Sequence, residues 1–374
     1  MIYAFKLGHQ PHISRTEITS ILASWSIEYT VLSFDNTYLV LEITKDIDAS
    51  LLMHTLGGTV KIMKQIENKK NPIDTAVEHL TRTTDGKIHF SFSGPDAKRT
   101  GLAIKKKLKA LDRSVRFIEI KNTATIIHNH LVEKSSDLTQ IKASLYVTLA
   151  VQDIDAYTTR DYQRPKSDST SGMLPPKLAR IMINLAGVDK DAHILDPFCG
   201  SGTILIEALS LGYTHLTGSD QSSKALQDTR DNIAWYRESR PDTSPNVELK
   251  KAPIQTLVNQ IPQGSIDAII SEPYMGRPLR GHESIYALTE QARELRKLYQ
   301  ASFETFSTLL APTGVCIFII PIFKSGTTWI HTHADQDIQQ YGLTIVPFDE
   351  KHPSLLYARE NHLVGREIWR FEKQ

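Results

Sequence analysis

Two short stretches carry the residue types that could do chemistry. The first is Asp196-Pro197-Phe198-Cys199-Gly200-Ser201-Gly202, preceded by the apolar run Ala192-His193-Ile194-Leu195 and followed by Thr203-Ile204-Leu205-Ile206-Glu207. An apolar run, a turn with two glycines and then helical periodicity predicts the strand–turn–helix of a doubly wound sheet. Without a Cβ, Gly200 and Gly202 let the chain turn sharply and let a ligand approach bare backbone N–H groups. Asp196 falls at the carboxyl end of the predicted strand, where open α/β sheets bind ligands, and its carboxylate suits an ammonium or amine donor. A zwitterionic small molecule fits this combination better than a pyrophosphate does.

Two nucleotide-binding alternatives lose ground. A dinucleotide fingerprint needs a third glycine that Gly-Ser-Gly-Thr-Ile-Leu lacks, and a phosphate loop needs a Gly-Lys-Ser/Thr that is absent here. The next predicted strand, residues 214–220, ends in Asp220, about 20 residues after the glycines, where an acid can meet ribose hydroxyls. The second chemical stretch is Ser271-Glu272-Pro273-Tyr274-Met275-Gly276. It follows the apolar run 266–270 directly, so it too falls at a strand end.

The elements around these stretches follow from periodicity. Upstream, a helix over 176–185 begins on proline. Downstream come a helix over 222–235, a strand over 246–250, a long helix over about 284–310 and strands over 315–320, 342–347 and 367–371. Strands alternating with helices from residue 190 onward predict a parallel sheet with an antiparallel finish. Before them, residues 1–60 read as a small α+β unit with strands near 3–5, 29–32 and 38–41 and helices over 14–23 and 47–54. Ser14 and Glu17 form a capping-box pattern for the first helix. Residues 61–157 add a helix over 73–81, strands over 88–92, 114–120 and 143–151, and a basic helix over 97–111. A Thr, Ser, Asp and Pro-rich connection, 157–176, leads into the last domain, and its serines are candidates to touch the ligand.

Composition sets the class. With 374 residues and 40% hydrophobic content, the chain can fill two or three packed cores. Its two cysteines, Cys199 and Cys316, exclude a disulfide framework and a cysteine-based zinc site, and Cys199 reads as a small apolar filler of the turn. The first residues lack a signal-peptide pattern and no apolar run reaches the roughly 18 residues of a membrane span, so the expectation is a soluble, cytoplasmic protein with no membrane partner. The net charge of +1 hides an uneven distribution: residues 61–180 carry 22 Lys and Arg against 13 Asp and Glu. A basic middle on a neutral chain suggests a polyanion, and folded RNA fits better than duplex DNA because no major-groove recognition motif is visible. Lys98, Arg99, Lys105, Lys106, Lys107, Lys109 and Arg116, with Arg164 from the connection, are the expected phosphate contacts.

At this point the residues name a family. Asp196-Pro197-Phe198-Cys199-Gly200-Ser201-Gly202 resembles motif I of S-adenosylmethionine-dependent amino methyltransferases, and Ser271-Glu272-Pro273-Tyr274, about 75 residues on, resembles their Asp/Asn/Ser-Pro-Pro-Tyr motif IV. Arg164-Pro165 and Leu174-Pro175-Pro176-Lys177-Leu178-Ala179-Arg180 are similar to the segment that opens the catalytic domain of the archaeal and eukaryotic tRNA guanosine-10 N2-methyltransferases. The resemblance implies a Rossmann-like class I methyltransferase domain at 177–374. Before it would stand a ferredoxin-like domain at 1–60, a THUMP RNA-binding domain at 61–157 and a linker at 158–176. It implies S-adenosylmethionine as cofactor and tRNA as partner, with a small activating subunit in some relatives.

The resemblance assigns cofactor contacts to Asp196, Pro197, Phe198, Gly200, Gly202, Thr203, Asp220, Gln221, Ala252 and Ser271. It gives the catalytic loop as Ser271, Glu272, Pro273 and Tyr274: the Ser271 hydroxyl and the Glu272 carbonyl accept the hydrogens of a guanine amine, and Tyr274 stacks on the base. Three departures from the family pattern stand out. Ser271 replaces the usual Asp, and Glu272 replaces the first proline while offering a carboxylate of its own. Lys251-Ala252-Pro253 stands where an acid usually meets the adenine amine, which leaves backbone near Ala252 for that contact. Arg277 and Arg280 just beyond are further candidates for RNA phosphates. The rival readings are a DNA adenine-N6 methyltransferase, which would share the second motif, and an RNA-binding homologue that has lost turnover.

Overall fold

Strand β1 (Ile2–Leu7) is covered on both faces: Tyr3 and Phe5 enter one core with Leu39, Leu41 and Ile62, and Ala4 enters another with Val40 and Met63. Side chains alternate along a strand, so burial of both sets marks a central position. The structure, a computed structural model, describes all residues except 68–70, 168–172, 239–245, 360–361 and 374; part of the 157–176 connection therefore lies outside the described residues. The chain divides into two units, Met1–Ala156 and Tyr157–Gln374.

The first unit continues with α1 (Pro11–Ser24), β2 (Tyr29–Phe34), β3 (Tyr38–Ile43), α2 (Ala49–Thr55), β4 (Thr59–Gln65), α3 (Pro72–Thr83) and β5 (Ile88–Ser93). After these come α4 (Ala97–Ala110), β6 (Val115–Phe117), α5 (Thr123–His128), β7 (Asp137–Ile141) and β8 (Ser144–Val151). The strands form one sheet in the order β2-β3-β1-β4-β8-β7-β5-β6. The division expected near residue 60 does not interrupt this sheet, because β4 pairs antiparallel with β1 on one side and with β8 on the other. Within this unit one core gathers Tyr3 to Ile62 with Ala150, a second gathers Ile66 to Leu145, and a third joins Ala4 and Val40 to Met63, Ile141 and Tyr146.

Helix α1 starts earlier than its capping-box pattern suggests. Pro11 takes the first helical position, where its missing N–H costs nothing. Ser14 and Glu17 lie inside the helix and bind the loop before β4: Ser14 Oγ donates to the Gly58 carbonyl at 2.8 Å, and Glu17 accepts the N–H groups of Gly57 and Gly58 at 2.7 and 2.8 Å.

Helix α6 (Ile154–Tyr162) leads into the second unit. There follow α7 (Pro176–Ala186), β9 (His193–Asp196), α8 (Thr203–Ser210), β10 (His215–Asp220), α9 (Ser223–Glu238), β11 (Asn246–Lys251) and β12 (Ile266–Ser271). The chain then runs through α10 (Ile285–Leu309), β13 (Leu310–Ser325), β14 (Thr328–His331), β15 (Leu343–Ile345), β16 (Ser354–Tyr357) and β17 (Val364–Lys373). The main sheet runs β11-β10-β9-β12-β13-β17-β15. Its neighbours from β11 to β13 are parallel, while β17 is antiparallel to both β13 and β15.

Chain order therefore reverses between β9 and β12, which creates the crevice at strand carboxyl ends where doubly wound sheets bind ligands. Long helix α10, capped by Ser284 Oγ accepting the Ala287 N–H at 3.2 Å, lays Leu288, Ala292, Leu295, Tyr299, Phe303 and Phe306 on the sheet. That stripe repeats every three or four residues, as a buried helix face must.

Candidate active site

The register of β9 fixes the geometry of the site. Ile194 and Leu195 pair with Leu216 and Thr217 on one side and with Ala268 and Ile269 on the other, so Asp196, Asp220 and Ser271 come out at the same end of the sheet. They border a cavity of about 480 Å³ whose walls include residues 196–201, 203–204, 220–222, 252–255 and 272–276. That volume lies in the range typical of small-molecule sites.

The turn after β9 is held by polar side chains on α9. Gly200 and Gly202 adopt φ of +53° and +85°, a conformation that L side chains rarely take. A Cβ on Gly202 would also fall 2.9 Å from Thr229 Cγ2. Thr229 Oγ1 donates to the Gly200 carbonyl at 2.7 Å and Asn232 Nδ2 to the Ser201 carbonyl at 2.9 Å. With these carbonyls occupied, the turn is fixed before any ligand arrives. Gly202 itself stands behind the wall and opens α8, whose first residue Thr203 does face the cavity.

The two acids hold different stations. Asp220 accepts the Gly200 N–H at 3.2 Å and the Ser222 N–H at 2.8 Å, one on each oxygen, which orients its carboxylate and leaves lone pairs for ribose hydroxyls. Asp196, 2% exposed, takes the Ser271 hydroxyl at 2.7 Å and the Phe198 N–H at 3.2 Å on Oδ1. Burial pushes its carboxyl up to about 7; the hydrogen bonds from Ser271 and Phe198 oppose the rise, and nearby Asp220 and Glu272 add to it. Burial, followed by the same two aspartates, also drives the Cys199 thiol well above its ordinary value, which removes the thiolate a nucleophile would need.

The second stretch departs from expectation at its first residue. Ser271 is fully buried, does not line the cavity and donates its hydroxyl to Asp196, so it positions that carboxylate and does not meet the substrate amine. Glu272, Pro273 and Tyr274 do line the cavity. The Glu272 side chain is 10% exposed and its Oε1 accepts from Arg366 Nε at 2.5 Å; burial raises its pKa and Arg366 works against the rise. The Tyr274 carbonyl is occupied by the Tyr299 hydroxyl at 2.8 Å, while the residue as a whole is 52% exposed and lines the cavity. Gly276, at φ +95°, rests so close to Gln291 that a Cβ would lie 2.7 Å from Nε2.

Gln221, Ala252, Pro197 and Phe198 all border the cavity. Ala252 is 2% exposed and its N–H donates to the Asp220 carbonyl at 3.3 Å. Arg164 is a correction: it is 5% exposed and its Nη1 donates to Thr203 Oγ1 at 2.7 Å, so it cannot reach RNA phosphates. In the first unit, Lys98, Arg99, Lys106, Lys109 and Arg116 are exposed and Lys105 is half-buried; Lys98 lies 3.3 Å from Glu119 and Lys107 2.5 Å from Asp74. Arg277 is exposed and its Nη2 stands 3.1 Å from Glu294. The sequence reading missed Arg366, 94 positions from Glu272, because nothing local marks it. It passed over Thr229 and Asn232 as well, although polar residues on the α9 face that Leu226 and Ile233 define would have signalled them.

The donor set suits S-adenosylmethionine. A cradle that only glycine can form, a buried acid for an ammonium and an oriented acid for ribose hydroxyls meet in one cavity at the sheet's switch point. Fold and site together thus define a methyltransferase, and its methyl donor is S-adenosylmethionine.

Comparison with known proteins places the chain within that class. The family model described as RMKL-like, methyltransferase domain, matches residues 163–353, and the chain belongs to this family. A DNA methylase model matches residues 12–229, a stretch that ends before the 272–276 loop. A tRNA (guanine(10)-N2)-dimethyltransferase from Methanocaldococcus jannaschii is 30% identical over 151 residues, 40% of this chain and 38% of that protein. One of the same name from Methanothermobacter thermautotrophicus is 48% identical over 65 residues, 17% of this chain and 19% of that protein. A human U6 snRNA (guanine-N(2))-methyltransferase is 30% identical over 115 residues, 30% of this chain and 22% of that protein. The chain thus spans well under half the length of these curated relatives. The crystal structure of TrmN from Thermus thermophilus matches in fold with a TM-score of 0.56 at 15% identity, covering all of both chains. Among the described residues, no helix is long and apolar enough to cross a membrane.

Proposed function

We propose that the protein methylates the exocyclic N2 amine of a guanosine in tRNA. In this reading the first unit, with its ferredoxin-like and THUMP parts, grips the folded RNA in the cytoplasm. The observation that carries the proposal is the convergence of the 196–202 turn and the 272–276 loop on one cavity, joined by the Ser271–Asp196 hydrogen bond. The names of the relatives, guanine-N2 enzymes acting on tRNA or U6 snRNA, supply the substrate class. Exposed Lys98, Arg99, Lys106, Lys109 and Arg116 suit the phosphate backbone of a folded RNA.

When bound, S-adenosylmethionine supplies an electrophilic methyl group on a sulfonium. The chain's task is to present a poor nucleophile to it, since the lone pair of a guanine amine is delocalised into the ring. Tyr274 stacks on the base and fixes its plane. The Glu272 carbonyl and carboxylate accept the amine hydrogens, with Arg366 holding one carboxylate oxygen and leaving the other for the substrate. Asp196 and Asp220 hold the ammonium and the ribose, which sets the methyl group in line with the amine. Glu272 thus takes over the work that Ser271, turned toward Asp196, does not do.

The test is transfer of a labelled methyl group to an unmodified tRNA transcript and, in parallel, to duplex DNA. Label in tRNA alone is expected. Label in DNA alone would overturn the reading, as would cofactor binding with no transfer to any nucleic acid.

A further inference from the structure

Two prolines, Pro273 and Pro278, bracket the stretch that carries Tyr274, and only the N–H groups of residues 274–277 lie between them. Helix α10 holds this stretch at both ends. Tyr299 Oη donates to the Tyr274 carbonyl at 2.8 Å, and Gln291 Oε1 accepts the Arg277 N–H at 3.2 Å. The two anchors stand eight residues apart on α10, about 12 Å along its axis, and meet the loop in reverse chain order. Residues 274–277 therefore run antiparallel to the helix over about two turns. Between the anchors lies Gly276, placed against Gln291 where no Cβ would fit.

Neither polar group is needed to pack α10. Both belong to its buried face, among Leu288, Ala292, Leu295 and Phe303. Tyr299 is fully buried, edge-on to Phe318 with ring centroids 5.5 Å apart, so a phenyl ring would fill the same space. Burial, followed by Glu272 and Tyr274, drives its hydroxyl well above the ordinary range, which keeps it a donor. Gln291 is 8% exposed, and its Nε2 is buried with no hydrogen-bond partner among the described residues. A buried donor left unpaired lowers stability, and an apolar side chain would recover the loss. What the amide supplies in return is the Oε1 contact with the loop.

We infer that Tyr299 and Gln291 are positioning residues for methyl transfer, holding residues 274–277 against α10 so that the Tyr274 ring and the Glu272 carbonyl keep their places at the cavity. This rests on the proposed function, which gives that loop the base. Neither residue borders the cavity, so both act through the loop backbone and not on the ligands. Arg366 ties the loop at Glu272 from β17, and α10 ties it from Tyr274 onward.

Tyr299→Phe and Gln291→Leu in the full chain test this, with hydrogen exchange of the 272–280 segment read beside methyl transfer to a tRNA transcript. Both variants should fold, and Gln291→Leu should unfold at or above the wild-type temperature. In each, exchange at residues 274–277 should quicken at least about tenfold while S-adenosylhomocysteine affinity stays within about twofold. The rate should fall about 10- to 100-fold in kcat, with KM for tRNA within about threefold, because the loop geometry changes and the grip on RNA does not. A folded variant with wild-type exchange, or with wild-type kcat, overturns the proposal. A Gln291→Leu protein that unfolds well below the wild-type temperature gives Gln291 a structural role and overturns its part. A wild-type protein that transfers no methyl group to tRNA removes the functional reading, and exchange then decides the anchoring alone. If one variant fails to fold, the other decides.

Discussion

Protonation of Asp196 should control cofactor affinity within a narrow pH window. The carboxyl is 2% exposed and titrates at about 7, so it is roughly 3% ionised at pH 5.5 and about 76% ionised at pH 7.5. An ammonium needs the ionised form. The dissociation constant for S-adenosylhomocysteine should therefore fall about 25-fold between those pH values, with a slope near tenfold per pH unit below 7. Above about pH 7.5 the ligand's own amine begins to titrate, which sets the upper limit of the experiment.

Calorimetry in buffers of different ionisation heat gives a second readout, since binding at pH 6 should release close to one proton. Asp196→Asn should flatten the profile. Ser271→Ala removes a hydrogen bond that favours the ionised acid and should move the midpoint upward by about one pH unit. In the ligand-free protein the raised pKa favours the acid form, so its contribution to stability is present below about pH 4 and lost as pH rises through 7. Asp196→Asn should therefore raise the unfolding free energy at pH 8 more than at pH 4, by an amount bounded at about 4 kcal/mol. An affinity independent of pH from 5.5 to 7.5, in a protein that binds the ligand, would refute this reasoning.

Three further outcomes follow from particular contacts. Gly202→Ala forces a Cβ against Thr229 at φ +85° and should lose about 1–3 kcal/mol of stability and most cofactor affinity, read by thermal unfolding and calorimetry. Arg366→Met leaves the Glu272 carboxylate buried without its cation and should cost about 3 kcal/mol; adding Glu272→Gln should restore stability but not turnover, read by denaturant titration beside a transfer assay. Charge reversal at Arg99 and Lys106 should weaken tRNA binding at low salt and flatten its salt dependence while cofactor affinity stays unchanged, measured by filter binding across salt concentrations.

Most of the second unit was legible because its signals are local. An apolar strand, a two-glycine turn and a helix occupy contiguous residues, and Asp196, Asp220 and the 272–276 loop face one cavity as strand-end positions should. What stayed hidden depends on pairing across the chain. Residues 114–120 look like a full strand, yet only Val115–Phe117 pair, at the sheet edge beside β5. Strand β4 was missed where Lys61 and Lys64 interrupt its apolar residues; Lys61 is in fact buried and bound to Asp137 at 2.7 Å. Arg164 read as a surface cation because charge in a polar segment suggests solvent, whereas α8 and Met173 enclose it. The exchange of roles between Ser271 and Glu272 was equally invisible, since it depends on Arg366 arriving from β17.

The account depends most on one cavity serving both cofactor and base. A crystal structure with S-adenosylhomocysteine tests that directly: its ammonium should lie at Asp196, its ribose hydroxyls at Asp220 and its sulfur should face the 272–274 segment. A ligand bound elsewhere on the sheet, or a sulfur turned away from Tyr274, would contradict it.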